Sequence, residues 1–414
     1  MNRPAPTRRS SYAAFSHRDF TLYWLARFLA SVALQMQTVA IGWQIYDVSR
    51  DPLDLGLVGL VSFLPAILLV LVTGHVADRF DRRLVIMLCY AVEMACAGAL
   101  FALAWQGLKA VWPIFVVLAG LGTARAFASP SIQAFMPNLV PAGDFSSALA
   151  WNSTAWQIAT IGGPAIGGLL YALGPGAVYG TATAFLGAAA VLMALMRFRR
   201  VKTRLEPASW DTLVAGIRFI RSKQIILGAI SLDLFAVLFG GATALLPIYA
   251  RDILEIGPWG LGMLRSAPAL GAAVVAVVLA HRPVTAHAGR TLLVAVAVFG
   301  VATIVFGASD NLWLSLVALV ALGGADMISV FVRQSLVLLR TPDAMRGRVN
   351  AVNMVFVGAS NEVGEFESGS VAAWLGAVAS VIIGGVCTIA IAGLWAYRFP
   401  ALRKVDRLDS DAGG

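Results

Sequence analysis

Gly74-His75-Val76-Ala77-Asp78-Arg79-Phe80-Asp81-Arg82-Arg83 is a knot of charge between two apolar runs, about residues 53–73 and 84–106. Each run is long enough to cross a bilayer as a helix, which takes roughly 20 apolar residues. A short basic loop between two such spans belongs on the cytoplasmic side under the usual charge bias. This one segment therefore predicts both compartment and orientation.

Composition agrees. Of 414 residues, 59% are hydrophobic and 13% charged, against about 25% charged in a soluble domain. The net charge of +9 does not read as a nucleic-acid surface, because the basic residues stand in short clusters between apolar runs. Cys89, Cys96 and Cys387 lie inside apolar runs without metal-ligand spacing, which argues against a disulfide framework. Met1–Arg18 is basic and polar, and the apolar run after it carries Arg27. It reads as an uncleaved first span.

Breaks at Gly, Pro and charge divide the chain into twelve predicted helices: 20–48, 54–75, 84–106, 111–134, 146–172, 176–197, 224–250, 257–280, 290–308, 311–338, 349–374 and 376–398. Connections as short as Lys109-Ala110 and Gly174-Pro175 make neighbouring helices antiparallel. With both termini inside, 24 basic residues fall on the cytoplasmic side and 3 (Arg50, Lys109 and Arg251) on the other. Arg27, Arg125, Arg265 and Arg333 remain within spans.

The 197–223 connection is the midpoint. Leu213, Ile217 and Ile220 alternate with Arg218 and Arg221 at helical spacing, the pattern of an amphipathic helix on a membrane surface. The predicted division is a bundle over 1–197, a cytoplasmic linker over 198–223, a second bundle over 224–398 and a cytoplasmic tail over 399–414. The halves read as a diverged repeat. An offset of 201, anchored on Pro141 and Pro342, aligns Gln133 with Gln334, Gly163 with Gly364, Gly168 with Gly369 and Arg125 with Asp326. For the earlier helices, Leu55-Gly56 on Leu261-Gly262 gives 206 and aligns Arg27 with Asp233, whereas Pro65 on Pro268 gives 203.

Several segments resemble the major facilitator superfamily, within it the branch of the enterobactin exporter and macrolide-efflux proteins. They are His17-Arg18-Asp19-Phe20, Gly74 to Arg83, Gly162-Gly163-Pro164-Ala165-Ile166-Gly167-Gly168, Thr341-Pro342-Asp343 to Arg346-Gly347-Arg348-Val349, and Phe399-Pro400-Ala401-Leu402-Arg403. The resemblance implies an all-α membrane protein: twelve transmembrane helices in two pseudo-symmetric six-helix bundles, the major facilitator fold. This sequence departs from the family pattern at Asp81, where Gly is usual, and in the loop His281 to Arg290, which lacks the acidic residue.

The resemblance assigns gating to Gly74, Asp78, Arg79, Arg82 and Arg83, with Asp78 latching onto the N-terminus of the eleventh helix. A carboxylate is stabilised by such a terminus, here expected near Arg348-Val349. Gly163, Pro164, Gly167 and Gly168 are expected at close helix contacts. In the fold the first, fourth, seventh and tenth helices line the cavity, so Arg27, Gln35, Arg125, Asp233, Asp326 and Arg333 are the substrate-cavity candidates. Arg27 and Arg125 would attract a polar or anionic substrate, or pair with Asp233 and Asp326. Charges at membrane depth face water or a partner, so Asp233, Asp326, Glu93, Glu362 and Glu365 are the proton-coupling candidates. Permanent ion pairs are the competing reading. Gln37, Trp43, Gln44, Asn152 and Trp156 could add polar and aromatic contacts.

No nucleotide loop and no metal-like His spacing occurs in the sequence. The expectation is therefore neither an enzyme nor a cofactor or metal protein. It is a monomeric secondary transporter of the bacterial inner membrane, with lipid, protons and a small molecule as partners and no nucleic acid. The expected activity is proton-coupled export of a siderophore or amphipathic drug by alternating access. The alternatives are a proton-coupled uptake symporter and a non-transporting sensor or assembly partner.

Overall fold

The computed structural model describes residues 12–197, 210–284 and 286–407, which among themselves contain helices and no strands. In order these are α1 Arg18–Ser49, α2 Pro52–Leu68, α3 Val70–Arg79, α4 Arg82–Gln106, α5 Trp112–Phe135, α6 Phe145–Tyr171, α7 Pro175–Ala194, α8 Trp210–Ser222, α9 Gln224–Phe239, α10 Leu246–Ile248, α11 Gly257–His281, α12 Ala288–Gly307, α13 Leu312–Leu339, α14 Asp343–Leu375, α15 Ala377–Arg398 and α16 Pro400–Arg403. Nine helical segments among the described residues are long and apolar enough to cross a membrane.

Local chemistry sets many of the ends. Asp51, before Pro52, accepts from Leu53 N at 2.9 Å, and Asn311 accepts from Trp313 N at 2.9 Å and Leu314 N at 3.2 Å. Each satisfies amides that have no acceptor within the first helical turn. Asp81 does the same for α4, accepting from Arg83 N at 2.9 Å. The residue that departs from the family pattern is thus a helix cap.

Three boundaries differ from expectation. The stretch Gly74 to Arg79 is not loop: it continues α3, leaving Phe80 and Asp81 as the turn. Basic Arg79 suits the negative end of that helix. The seventh predicted helix is broken after Phe239 at Gly240-Gly241 and resumes as tight turns through a π-helical segment, Tyr249–Ile253. The close approach explains the glycine: a Cβ on Gly241 would lie 2.4 Å from the Gly364 carbonyl oxygen. The eleventh helix begins at Asp343 instead of Val349, with an acidic residue in its first turn.

Helix α1 packs on α6 and α7, α4 on α5 and α7, and α2 on α5; α12 packs on α13 and α15, α11 on α13, and α14 on α9 and α15. The most extensive contacts between these sets are α6 on α11 and α2 on α14. Both are glycine seams. A Cβ on Gly168 would lie 3.1 Å from Gly262 Cα, and one on Gly369 would lie 2.7 Å from Gly56 Cα. Gly168 and Gly369 are related by 201 residues, Gly56 and Gly262 by 206. The two seams are therefore images of each other, and the 206 register for the earlier helices is the one that puts equivalent residues in equivalent contacts.

One apolar cluster draws on both sets, with Ile41, Ile45, Tyr46 and Leu55 packed together with Leu245, Leu246, Tyr249 and Leu264. It lies toward the end away from the 79–83, 340–348 and 398–407 arginines. Toward that basic end the core divides: one cluster holds Phe20, Tyr23, Phe135 and Met193, another Leu232, Leu292, Leu336 and Leu402. At the opposite end Arg251 bonds Asp47, Tyr46 bonds Asp252, and Arg50 reaches Asp252 at 3.3 Å. Arg251 also sits 5.4 Å from the Trp43 ring centre.

Candidate functional site

Five helices converge on a cavity of about 150 Å³ between the two sets. Gln37 and Thr38 come from α1, Gly59 and Ser62 from α2, Arg125 from α5, Arg265 from α11, and Glu362 and Glu365 from α14. Glu362 and Glu365 share a face of α14, as residues three apart must. Both press on Gly59: a Cβ there would lie 2.6 Å from Glu362 Oε2 and 2.9 Å from Glu365 Oε2. Glycine at position 59 is what leaves room for two carboxylates side by side.

The arginines stand opposite. Arg125 is within electrostatic reach of Glu93 and Glu362, and Arg265 of Glu365. Among the described residues no ion pair or hydrogen bond joins these arginines to these glutamates, and Nε of each arginine is buried without a partner. Buried polar atoms are ordinarily bonded. Two guanidinium groups and two carboxyl groups thus face one chamber without bonding each other, so a third species can bridge them.

A second charged cluster lies within the later helices. Arg333 of α13 pairs with Asp233 of α9 at 3.2 Å and donates to Asn353 of α14 at 2.9 Å. Asp326 and Asp233 line a remnant space of about 10 Å³ with Ser329 and Phe299. Asp233 and Arg333 are buried and paired, and although Arg333 Nε has no partner, its other two nitrogens join α9, α13 and α14 in one joint.

The geometry therefore divides the sequence-derived residues. Arg125, Glu362 and Glu365 meet at the cavity, and Glu93 stands behind Arg125. Asp233, Asp326 and Arg333 form the separate joint, and Asp233 pairs with Arg333 instead of Arg27. Arg27 lies near Tyr23 and Tyr90, away from the cavity. Gln35 abuts Gly163, while Gln37, two residues on, lines the cavity. Gln44 accepts from Tyr179 at 2.8 Å, Trp43 stacks under Arg251, and Trp156 is exposed. Alignment of repeats identifies equivalent positions, which a two-fold axis relates but need not bring into contact. Arg265 was missed as a cavity residue; the 206 offset, which sets it on Gly59, was the available signal.

The packing glycines meet neighbours closely. A Cβ on Gly163 would lie 2.5 Å from Gln35 Cβ and one on Gly167 2.8 Å from Met36 Cα, both on α1. Pro164 sits within α6, with its carbonyl oxygen 2.5 Å from a Cβ placed on Gly262. At the 79–83 segment, Arg82 donates to the Ala134 carbonyl at 3.0 Å, and Arg83 to the carbonyls of Met193, at 2.8 Å, and Ala194. They bind carbonyls in the last turns of α5 and α7, where cations are favoured. Gly74 lies within α3, Arg79 contacts His75 at 3.5 Å, and the Asp78 side chain lies outside the described residues.

The described residues thus form a multi-helix chain with two glycine-packed seams around a charged central cavity. The profile of the transmembrane secretion effector family (MFS_3) matches residues 9–413, and the chain belongs to that family. It is similar to the enterobactin exporter EntS of Shigella flexneri, 25% identical over 401 residues covering 94% of this chain and 93% of the relative. To the enterobactin exporter EntS of Citrobacter koseri it is 26% identical, covering 94% of each chain. Its fold resembles that of a bacterial homologue of the human lysosomal transporter Spinster, at TM-score 0.70 and 14% identity over 96% of this chain and 100% of the other. A POT family transporter solved with 5-aminolevulinic acid aligns at TM-score 0.73 and 12% identity, covering 94% and 97%.

Proposed function

We propose that this chain is a monomer of the bacterial inner membrane that exports a small organic molecule in exchange for protons. Twelve spans form two six-helix bundles, over 1–197 and 224–398. The 198–223 linker and the 399–414 tail lie in the cytoplasm with both termini. The observation that carries the reading is the central cavity, where Arg125, Arg265, Glu362 and Glu365 face one another without direct bonds. Carboxylates at membrane depth mark proton pathways by default. Arginines at the same site offer fixed donors for a polar substrate. A substrate that displaces protons from Glu362 and Glu365 is exchanged for them, because two ligands that compete for one site weaken each other reciprocally.

The two bundles rock about the glycine seams, alternating the cavity between faces. The outer end is closed here by the shared apolar cluster and the Arg251–Asp47 and Arg50–Asp252 pairs. Arg79, Arg82, Arg83 and Asp78 gate the basic end; the bonds of Arg82 and Arg83 to α5 and α7 support this. The likeness to enterobactin exporters favours a siderophore over an amphipathic drug. Proteoliposomes with an imposed pH gradient test the reading, with enterobactin as the assay substrate. Exchange gives enterobactin-dependent proton movement opposite to the substrate. Movement with the substrate would support uptake by symport, and absence of coupled flux across a wide panel would support a non-transporting role.

A further inference from the structure

At the basic end, away from the central cavity, lies a recess of about 720 Å³ where the junction of α8 and α9 meets the connection between α13 and α14. Lys223, Arg340 and Arg346 line it, together with one carboxylate, Asp343, which pairs with Arg346 at 2.5 Å. Two helix N-termini open on it. Lys223 precedes α9 and Pro342 precedes α14, and neither end has a side-chain cap. Each such end carries roughly half a positive charge and amides without helical acceptors. Thr341, 2% exposed, lines both this recess and an adjoining one of about 440 Å³, and its hydroxyl is buried without a partner.

We propose that this recess binds a phosphate ester of net negative charge, which a zwitterionic phosphate ester does not replace. The lining side chains sum to a positive charge even after Asp343 is counted, and the helix ends add to it. The donors converge from two helices and a loop, which suits a group with several acceptor oxygens arranged around one centre. The space is large enough for a glycerol or sugar attached to the phosphate. Leu339, on the wall of the recess, and Leu338 beside it are exposed apolar residues that suit an acyl chain. The shared chemistry is a phosphate ester, from an acidic phospholipid headgroup or from a soluble metabolite. Either would tie α8 and α9 to the start of α14, the helix that carries Glu362 and Glu365.

The test uses the full-length protein in detergent with three probes: dioctanoyl phosphatidylglycerol, dioctanoyl phosphatidylcholine and glycerol 3-phosphate. Thermal stabilisation against concentration and retained adducts in native mass spectrometry are the readouts. The proposal expects saturable binding of phosphatidylglycerol in preference to phosphatidylcholine. Each cationic side chain is worth about fivefold, so Lys223→Gln with Arg346→Gln weakens binding by about 25-fold. Both residues are exposed, and an unchanged melting temperature without probe checks that the double variant folds. Thr341→Val provides a second, independent loss. Glycerol 3-phosphate binding as tightly as phosphatidylglycerol identifies a soluble source, and binding only of phosphatidylglycerol identifies the lipid. Equal binding of the two lipids with none of glycerol 3-phosphate, or phosphate-probe binding unchanged in the double variant, overturns the proposal.

Discussion

Gly59→Ala separates the cavity's function from the fold's stability. Its new Cβ would stand 2.6 Å from Glu362 Oε2 and 2.9 Å from Glu365 Oε2, and ordinary contact begins at 3.4 Å. Glu362 must retreat by about 0.8 Å (3.4 less 2.6) and Glu365 by about 0.5 Å (3.4 less 2.9). Both contacts are at the ends of flexible side chains, so the adjustment costs little, and alanine gains roughly 1 kcal/mol of helix propensity over glycine. The melting temperature should barely move. Coupled transport should fall about tenfold or more, because displacing positioned groups by most of an ångström costs up to ~100-fold. Gly122→Ala, where α5 meets α2, is the contrasting case. Its Cβ would lie 2.1 Å from the Ser62 carbonyl oxygen, a backbone atom that cannot swing away. Overpacking of that kind costs about 1–3 kcal/mol. Thermal melts and proteoliposome flux on the two variants decide the matter. Wild-type flux in Gly59→Ala would refute the placement of the carboxylates at the working site, and equal destabilisation of both variants would refute the reasoning about which neighbours yield.

The Asp233–Arg333 joint should behave as structure: Arg333→Met alone costs about 3–5 kcal/mol by leaving buried carboxylate unpaired, whereas Asp233→Leu with Arg333→Met recovers most of it in thermal melts. A double variant as unstable as the single one would show that the pair is not the reason. At the outer end, Asp47→Arg should oppose Arg251 and raise labelling of a Thr38→Cys reporter by an outside thiol reagent about twofold to fivefold, the scale of ~0.5–1 kcal/mol for a partly exposed pair; adding Arg251→Asp should reverse the rise. The tail contributes a pH signature. Asp406 accepts from His287 N at 3.0 Å and pairs with the His287 ring at 2.6 Å, which holds its carboxyl below the ordinary 3.8. A depressed carboxyl contributes stability above its ordinary value and loses it as pH falls through the lowered one. Amide exchange at Ala288 and Gly289, which donate to the Asp406 and Val405 carbonyls, should therefore accelerate in acid below about pH 4, and Asp406→Asn should abolish the step.

Sequence carried the helices further than it carried the site. Apolar runs bounded by Gly, Pro and charge gave ends within a few residues for most helices, because those breaks are local chemistry. The break at Gly240-Gly241 has a non-local cause: it yields to the approach of Gly364, a neighbour more than a hundred residues away. The repeat was legible, and Gly56, Gly168, Gly262 and Gly369 meet as its images. Arg27 and Asp233 were aligned correctly as equivalents but not as partners, since Asp233 finds Arg333 across α9 and α13. The charged chamber needed five helices to converge, and no spacing along one helix announces that. Arg125 and Gln37 as cavity residues, and Glu362 and Glu365 as charges at membrane depth, were visible from the sequence; their convergence was not.

The central claim is that Glu362 and Glu365 carry the exchanged protons. The direct measurement is substrate-dependent proton flux in oriented proteoliposomes, comparing the wild type with Glu362→Gln/Glu365→Gln and with Asp233→Asn. The account expects coupled exchange in the wild type, its loss in the double glutamine variant even though substrate still binds, and its survival in any Asp233→Asn protein that folds. Coupled exchange that persists without both glutamates would contradict it.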